Sequence, residues 1–240
     1  MRLNLKRLTR LLILIGVVAM SDANGQGSPG LLRTFIGQDA LTLREKSAFK
    51  VNLGAVKDAM LYATDQPVVV EYGTADGAMR FPPASFLSLD IVAGHVIGLR
   101  IMPQLNVLTV TQSMDLVNNL NAMLARHGWT RPQPGLTVAE ATIRLSAPQE
   151  NPQRVDFGNW NGPGDDTLAV QVESSPPMGW SLKRLIGGDR RDCKITVMIN
   201  SDLAFKRFSA ELSRLRSEDG LGDVPARPID LPTYLKRVRR

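Results

Sequence analysis

The polar stretch from residue 158 to residue 166, Gly-Asn-Trp-Asn-Gly-Pro-Gly-Asp-Asp, carries the most distinctive local chemistry of the chain. An exposed Trp160 would stack on the face of a sugar ring, and Asn161, Asp165 and Asp166 would hydrogen-bond its hydroxyls or bind a cation. The order of the residues does not fit an EF-hand loop. The alternative is an ordinary turn whose tryptophan packs inward, since glycine, asparagine, aspartate and proline are all turn formers.

A second candidate is the long connection from Ser174 to Arg191, which exceeds the usual length of a hairpin loop. Its basic and aromatic side chains predict contact with an anionic partner, either a glycan, a lipid headgroup or an acidic protein. These side chains are Trp180, Lys183, Arg184, Arg190 and Arg191. Asp189 and Asp192 dilute the positive charge, so a solvated loop is the alternative.

Residues for nucleophilic or metal chemistry are scarce. The chain has two histidines and one cysteine, and neither histidine lies in a nucleophile-elbow pattern. The spacing of His95, His127 and Cys193 offers no zinc site, and no phosphate-binding or dinucleotide-binding glycine motif is present. We therefore expect no catalytic residue, no metal and no cofactor. The enzymatic alternative is a carboxylate-dependent hydrolase that uses Asp90, Asp156, Asp165 or Asp166.

The positive charge is concentrated at the two ends of the chain. Eight of the 29 basic residues lie within residues 1–10 and 236–240, which leaves 21 basic residues against 23 acidic ones in the body. A nucleic-acid-binding protein would instead cluster Lys and Arg on one face with aromatic residues between them. We expect no nucleic-acid partner, although the basic tail at 221–240, which contains prolines, could hold the protein to an anionic membrane surface.

The N-terminus has the layout of a secretory signal peptide. A basic segment is followed by the apolar run LLILIGVVAM and then by small residues up to Ala23. Ten apolar residues are too few to span a bilayer, which takes about 17 to 25. We predict a signal peptide over residues 1–23 and delivery to the periplasm or the exterior, with a retained anchor as the alternative.

The elements that would position these residues are organised around a hairpin and a helix between Phe86 and Trp129. Apolar residues alternate along both strands, and a three-residue loop over 93–95 would set Ile91 opposite Ile97 and Leu89 opposite Leu99. Ser113 is the predicted N-cap of the helix, and Gly128 is its predicted left-handed C-terminal residue. One helical face carries Leu116, Leu120, Met123, Leu124 and His127.

Similar patterns occur elsewhere along the chain. Strands are predicted at 68–72, near 155–157, at 168–172 and at 195–199, and capping boxes at Thr42 and Thr137. Residues 53–63 have weak helical periodicity. A helix capped by Ser201 would place Ala204, Phe205, Phe208, Leu212 and Leu215 on one face.

One-sided alternation and short turns predict a two-layer α+β fold, a mainly antiparallel sheet with helices packed on one face. We assign residues 24–66 to a linker and N-terminal segment and residues 67–220 to the α+β domain. Two similar halves, 67–129 and 136–220, are an alternative to one unrepeated domain, although no residue-by-residue repeat is visible.

The sequence thus favours an exported, non-catalytic binding or envelope accessory protein. Its expected partner is another envelope protein or a component of the cell wall, such as an anionic glycan. An inhibitor or immunity-type protein that neutralises a cell-wall-directed toxin is a more specific alternative.

Overall fold

The computed structural model describes residues 29–47, 55–56, 59–64, 66–74, 77–147, 151–176, 191–218 and 229–230. The predicted signal peptide therefore lies outside the described residues, as does nearly all of the basic tail. The helices are α1 (Ala40–Lys46), α2 (Val110–Arg126), α3 (Val138–Ser146) and α4 (Asp202–Glu218). The strands are β1 (Gly30–Thr34), β2 (Ala55–Val56), β3 (Ala59–Thr64), β4 (Val68–Tyr72), β5 (Met79–Arg80), β6 (Phe86–Val92), β7 (His95–Met102), β8 (Gln153–Asn161), β9 (Asp166–Ser175), β10 (Asp192–Ser201) and β11 (Ile229–Asp230).

The predicted α+β fold with a mainly antiparallel sheet is confirmed. A six-stranded antiparallel sheet has the order β3-β6-β7-β10-β9-β8, and a three-stranded sheet has the order β1-β4-β5. In the smaller sheet β1 runs parallel to β4, while β4 and β5 are antiparallel. A short pair, β2 with β11, completes the described strands. One continuous hydrophobic core joins both sheets to α1, α2 and α3.

The stretch assigned to the linker and N-terminal segment, residues 24–66, contributes strands to this body. β1 pairs with β4, and β3 pairs with β6 from Ala59 opposite Val92 to Thr64 opposite Leu87. The weak helical periodicity of residues 53–63 was therefore misleading, since the described residues there form β2 and β3. Pairing with β6 makes this segment a strand in a defined register, and this tertiary contact overrides the weak helical periodicity of the sequence.

The turn of the central hairpin differs from the prediction, although most of the register is as predicted. Val92 pairs with His95 across a two-residue turn, and Ile91 faces Val96. Ala93 and Gly94 both have positive φ, 49° and 74°, as a type I′ turn requires. A bulge at Ile97 then adds one residue to β7, so that Leu89 still faces Leu99.

Helix α2 begins one turn earlier than predicted. Its N-cap is Thr109, which forms a capping box with Gln112, whereas Ser113 lies inside the helix and donates to the Thr109 carbonyl. The predicted end is confirmed, because Gly128 has a φ of 77° and the Trp129 amide donates to Leu124 O at 3.1 Å. The buried stripe of this helix consists of Val110, Ser113, Met114, Val117, Leu120 and Leu124.

Two other caps are confirmed and one is wrong. Thr137 forms the predicted capping box with Glu140, and the Ser201 hydroxyl accepts from the Ala204 amide at the start of α4. The predicted box at Thr42 is wrong, because Asp39 caps α1 and accepts from both the amide and the hydroxyl of Thr42.

The helices are not all on one face of the large sheet. Val92 points to the opposite side from Ile91, and it is Val92 and Ala93 that pack with Phe208 of α4. The ring of His95 stacks on Phe208 at 4.1 Å. Phe205, predicted on the buried face of α4, is 53% exposed. Helix α4 therefore covers the hairpin end on the side opposite α2.

Candidate functional site

A cleft of about 620 Å³ lies between the smaller sheet, the end of α2 and the β8–β9 turn. We call it the Tyr72 cleft. Its walls come from four stretches that are far apart in the chain. The residues that line it include Phe35, Tyr72, Arg126, His127, Trp129 and Asp166.

The base of the cleft is a hydrogen bond between the two sheets. The hydroxyl of Tyr72, at the end of β4, donates to Asp166 Oδ2 at 2.6 Å, and Asp166 is the first residue of β9. Burial raises the pKa of Tyr72 well above its usual range, and the adjacent Asp166 carboxylate raises it further. The phenol therefore stays protonated and acts as the donor.

Burial also raises the pKa of the Asp166 carboxyl above its ordinary value. The bond from Tyr72 lowers the pKa, and the neighbouring Asp165 carboxylate adds to the rise. Asp166 thus lies in the cleft as a half-buried carboxylate whose position is set by Tyr72, with its other lone pairs available to a ligand.

Trp129 forms the floor beside this pair, and its place follows from the way α2 ends. The left-handed Gly128 turns the chain so that the indole packs at 6.3 Å from the Tyr72 ring, tilted by 56°. Gly162 lies against the six-membered ring of the indole, where a Cβ atom would come within 2.9 Å of the ring. Because this space is filled, Trp129 is only 4% exposed and supports the cleft from beneath.

Polar groups at the C-terminus of α2 complete the rim. His127 Nδ1 lies 3.1 Å from the carbonyl oxygen of Gly77, so Nδ1 carries a proton and donates. In the neutral ring Nε2 is then an acceptor. Arg126 donates from Nε to Ala122 O and is exposed, so its two terminal nitrogens remain as donors at the rim.

Phe35 is an exposed aromatic residue of the cleft, and its backbone is held in place. It is 38% exposed. Its amide donates to Gln38 Oε1, and the next residues are tied to the tip of the central hairpin, with Gly37 N donating to Val96 O at 2.7 Å. An exposed ring on a well-bonded turn provides a flat apolar surface at little cost in entropy.

Of the residues predicted in the 158–166 stretch, only Asp166 lines the Tyr72 cleft. The stretch does form the end of β8 and a turn, closed by Gly162 N donating to Asp166 O. Trp160 is 7% exposed, and the guanidinium of Arg131 covers its ring at 5.3 Å. It therefore packs inward, as the alternative to sugar stacking requires. The backbone of Asn161 pairs with Thr130.

Asp165 is used to cap α4. Its Oδ2 accepts from the Leu203 amide at 2.9 Å and from the Ser201 hydroxyl at 3.2 Å. A carboxylate at a helix N-terminus is stabilised by the unpaired amides there and by the helix dipole. The sequence pattern could not separate this role from ligand binding, because Asp165 and Asp166 are adjacent turn residues.

Arg191 is also structural. It is 9% exposed, and its guanidinium donates to Ser174 Oγ, to Ala147 O at 2.8 Å and to Asn151 O at 3.2 Å. It holds the end of α3 to strand β9 of the large sheet, which is not the exposed partner contact that we predicted. Four residues of that prediction lie outside the described residues: Trp180, Lys183, Arg184 and Arg190.

The remaining acids and Cys193 lie away from the cleft. Asp90 and Asp156 are exposed on the large sheet, and Asp156 pairs with Arg154 at 3.5 Å. Cys193 is buried in β10. Among the described residues, no three His, Cys, Asp or Glu side chains come close enough together to hold a metal ion. None of the described helices has both the length and the hydropathy to cross a membrane.

Sequence reasoning missed Phe35, Tyr72 and Arg126 as site residues, and it gave His127 only a place on the helix. Tyr72 had a usable signal, because it ends a strand of valines directly before a glycine turn. Phe35 had no such signal, since an exposed phenylalanine and a buried one look alike in a single sequence.

Comparison with protein-family models, with curated proteins and with solved structures finds no match to this chain.

Proposed function

We propose that this protein is an exported binding protein that holds a hydroxyl-rich ligand of the carbohydrate class in the Tyr72 cleft. The observation that carries the proposal is the combination of an exposed aromatic ring, Phe35, with the fixed Tyr72–Asp166 pair. An aromatic face packs on the apolar side of a sugar ring, and a carboxylate accepts from its hydroxyls. Arg126 and His127 add donors and an acceptor at the rim.

Binding without catalysis is favoured by the positions of the acids. A glycoside hydrolase uses two carboxyl groups across its cleft, about 5 to 9.5 Å apart. Of Asp90, Asp156, Asp165 and Asp166, only Asp166 lines the Tyr72 cleft. Its nearest acidic neighbour in sequence, Asp165, is bound to the N-terminus of α4. Among the described residues, the cleft therefore has a carboxylate that accepts hydrogen bonds from ligand hydroxyls but no second carboxyl group to assist cleavage of a glycosidic bond.

Export is supported by the sequence of residues 1–23, with its basic start, its ten-residue apolar run and its small residues at the predicted cleavage site. A ligand of the carbohydrate class suits that location, because envelope and extracellular glycans are met there. Cell fractionation with an antibody against the protein tests this part directly. Retention in the cytoplasm would contradict it.

The binding proposal is tested by NMR titration of the isotope-labelled protein with a panel of neutral and acidic monosaccharides. We expect shift changes at Tyr72, His127 and Asp166, with affinity lost by tenfold or more in Phe35→Ala. The matched control is Phe205→Ala, which removes another exposed phenylalanine that lies on α4 outside the cleft. Unchanged binding by Phe35→Ala, or shifts confined to the exposed face of the large sheet, would refute the proposal.

A further inference from the structure

A second cavity shares part of its wall with the Tyr72 cleft. The second one has a volume of about 820 Å³ and shares Phe35, Gly73 and Thr74 with the first. We call it the outer cavity. Phe35 therefore stands at the boundary between the two. Each cavity has a volume in the range of about 300 to 1,000 Å³ that is usual for one small-molecule site, so the two in series accommodate a ligand longer than one unit.

The lining of the outer cavity contains two basic and two acidic side chains, and both acids are engaged by other groups of the protein. Glu71, one of its acids, is held by two arginines at once, by Arg33 at 2.8 Å and by Arg80 at 3.2 Å. Its other acid, Asp39, is occupied as the N-cap of α1. Lys46 lies exposed at the end of the same helix and forms no ion pair among the described residues. A negative group on a ligand would therefore meet Lys46 and Arg33.

The boundary between the cavities is pre-organised. The turn that carries Phe35 is bonded to the central hairpin by Gly37 N to Val96 O, by Val96 N to Gln38 O and by Ala40 N to Gly94 O, at 2.7 to 2.9 Å. A ligand that crosses Phe35 thus finds a surface that does not have to be ordered on binding, which improves affinity.

We propose that the two cavities form one groove for an acidic oligosaccharide of at least two sugar units. One unit lies in the Tyr72 cleft, the next lies in the outer cavity, and Phe35 packs between them. The carboxylate or sulfate group of the outer unit pairs with Lys46 and Arg33. This inference rests on the proposed function, because it extends the ligand that the Tyr72 cleft holds.

The test is calorimetric titration with oligosaccharides of one to six units, in a uronic acid or sulfated series and in a neutral series of the same lengths. We expect the affinity for the acidic series to rise at least tenfold between one and three units and to fall with added salt. Lys46→Gln is expected to weaken binding of the acidic trimer about fivefold, because it removes a cation at the outer unit.

Lys206→Gln serves as the control, since it removes an exposed lysine of α4 that lines neither cavity. Single sugars that bind as tightly as trimers would overturn the groove, and equal affinity for neutral and acidic trimers would overturn the charge preference. In both cases the Tyr72 cleft would still be a binding site. No binding by any sugar, long or short, would instead remove the proposed function itself.

Discussion

Removal of the Tyr72 hydroxyl is the sharpest test of how the cleft is built. Tyr72→Phe keeps the ring, so the contact with Trp129 is preserved, but Asp166 loses the donor that lies 2.6 Å from its Oδ2. The hydrogen bond links β4 of the smaller sheet to β9 of the large sheet. The substitution therefore removes a connection between the sheets without making a cavity of more than one oxygen atom.

The expected cost at pH 7 follows from the charge and burial of the partner. A hydrogen bond to a charged group contributes about 1.5 to 3 kcal/mol to the free energy of unfolding. Asp166 is half-buried, so water replaces part of what is lost and about 2 kcal/mol is expected. Asp166→Asn keeps an acceptor oxygen and removes a half-buried charge, so it should cost about 1 kcal/mol. The double variant should reveal a coupling energy of about 1 to 2 kcal/mol, as contacting residues do.

The pH dependence provides a second check. Burial raises the folded-state pKa of Asp166, so the carboxyl favours folding when it is protonated. That contribution is complete below the ordinary pKa of aspartate and is lost as the pH rises through the folded-state pKa. The hydrogen bond from Tyr72 opposes this rise in the pKa of Asp166. Tyr72→Phe should therefore lower the free energy of unfolding by more at pH 7 than at pH 3.5.

The assay is urea unfolding followed by tryptophan fluorescence, for the wild type, both single variants and the double variant. A parallel cycle pairs Tyr72→Phe with Asp156→Asn, which changes an exposed acid outside the cleft. A coupling energy below about 0.5 kcal/mol is the scatter expected for independent sites. Such a value for Tyr72 and Asp166, or one equal to that of the Asp156 cycle, would refute the reasoning.

Three further outcomes are expected. Arg191→Ala should lower the free energy of unfolding by about 2 to 4 kcal/mol, because several buried acceptors lose their donor. A change under about 0.5 kcal/mol, which is typical of a surface residue, would contradict the structural role. Ala93→Gly relieves a left-handed residue worth about 1 to 2 kcal/mol, but it loses one buried methyl worth about 0.8 kcal/mol and adds a backbone entropy cost of about 0.5 to 1 kcal/mol. Thermal unfolding should therefore show a stability within about 1 kcal/mol of the wild type, and a clearly larger loss would count against the positive φ. Because the pKa of Tyr72 is raised in the folded protein, the free energy of unfolding should fall above pH 10, by up to about 1.4 kcal/mol per pH unit. Tyr72→Phe should show a shallower alkaline decline of this free energy in the same denaturant titration.

Local patterns predicted the elements more reliably than their details. The register between Leu89 and Leu99 followed from alternation, because one face of the hairpin had to be apolar. The turn prediction was wrong because alanine disfavours positive φ. The three-residue loop required positive φ only at Gly94, whereas the observed turn also requires it at Ala93. The structure keeps Ala93 left-handed and restores the register with a bulge at Ile97, since Gly94 and Val96 at the hairpin tip are hydrogen-bonded to residues 37–40.

The start of α2 shows the same limit. Both Thr109 and Ser113 are acceptable N-caps, and the sequence places an apolar stripe after either of them. The N-cap is Thr109 because the additional N-terminal turn brings Val110 and Met114 into the core, where both are buried. Its C-terminus was easier, since glycine followed by an apolar residue specifies a local motif that needs no distant partner.

By itself the sequence determined the α+β class, most strand positions, the glycine stop of α2 and the lack of a cysteine pair, because each depends on neighbouring residues or on composition. The tertiary structure alone decided which side chains face a ligand. Trp160 and Arg191 have the chemistry of contact residues, yet both are buried. Phe35, Tyr72, His127 and Asp166 line one cleft although they are spread over more than half of the chain. Exposure and convergence depend on how the two sheets pack against each other, and no local pattern encodes that arrangement.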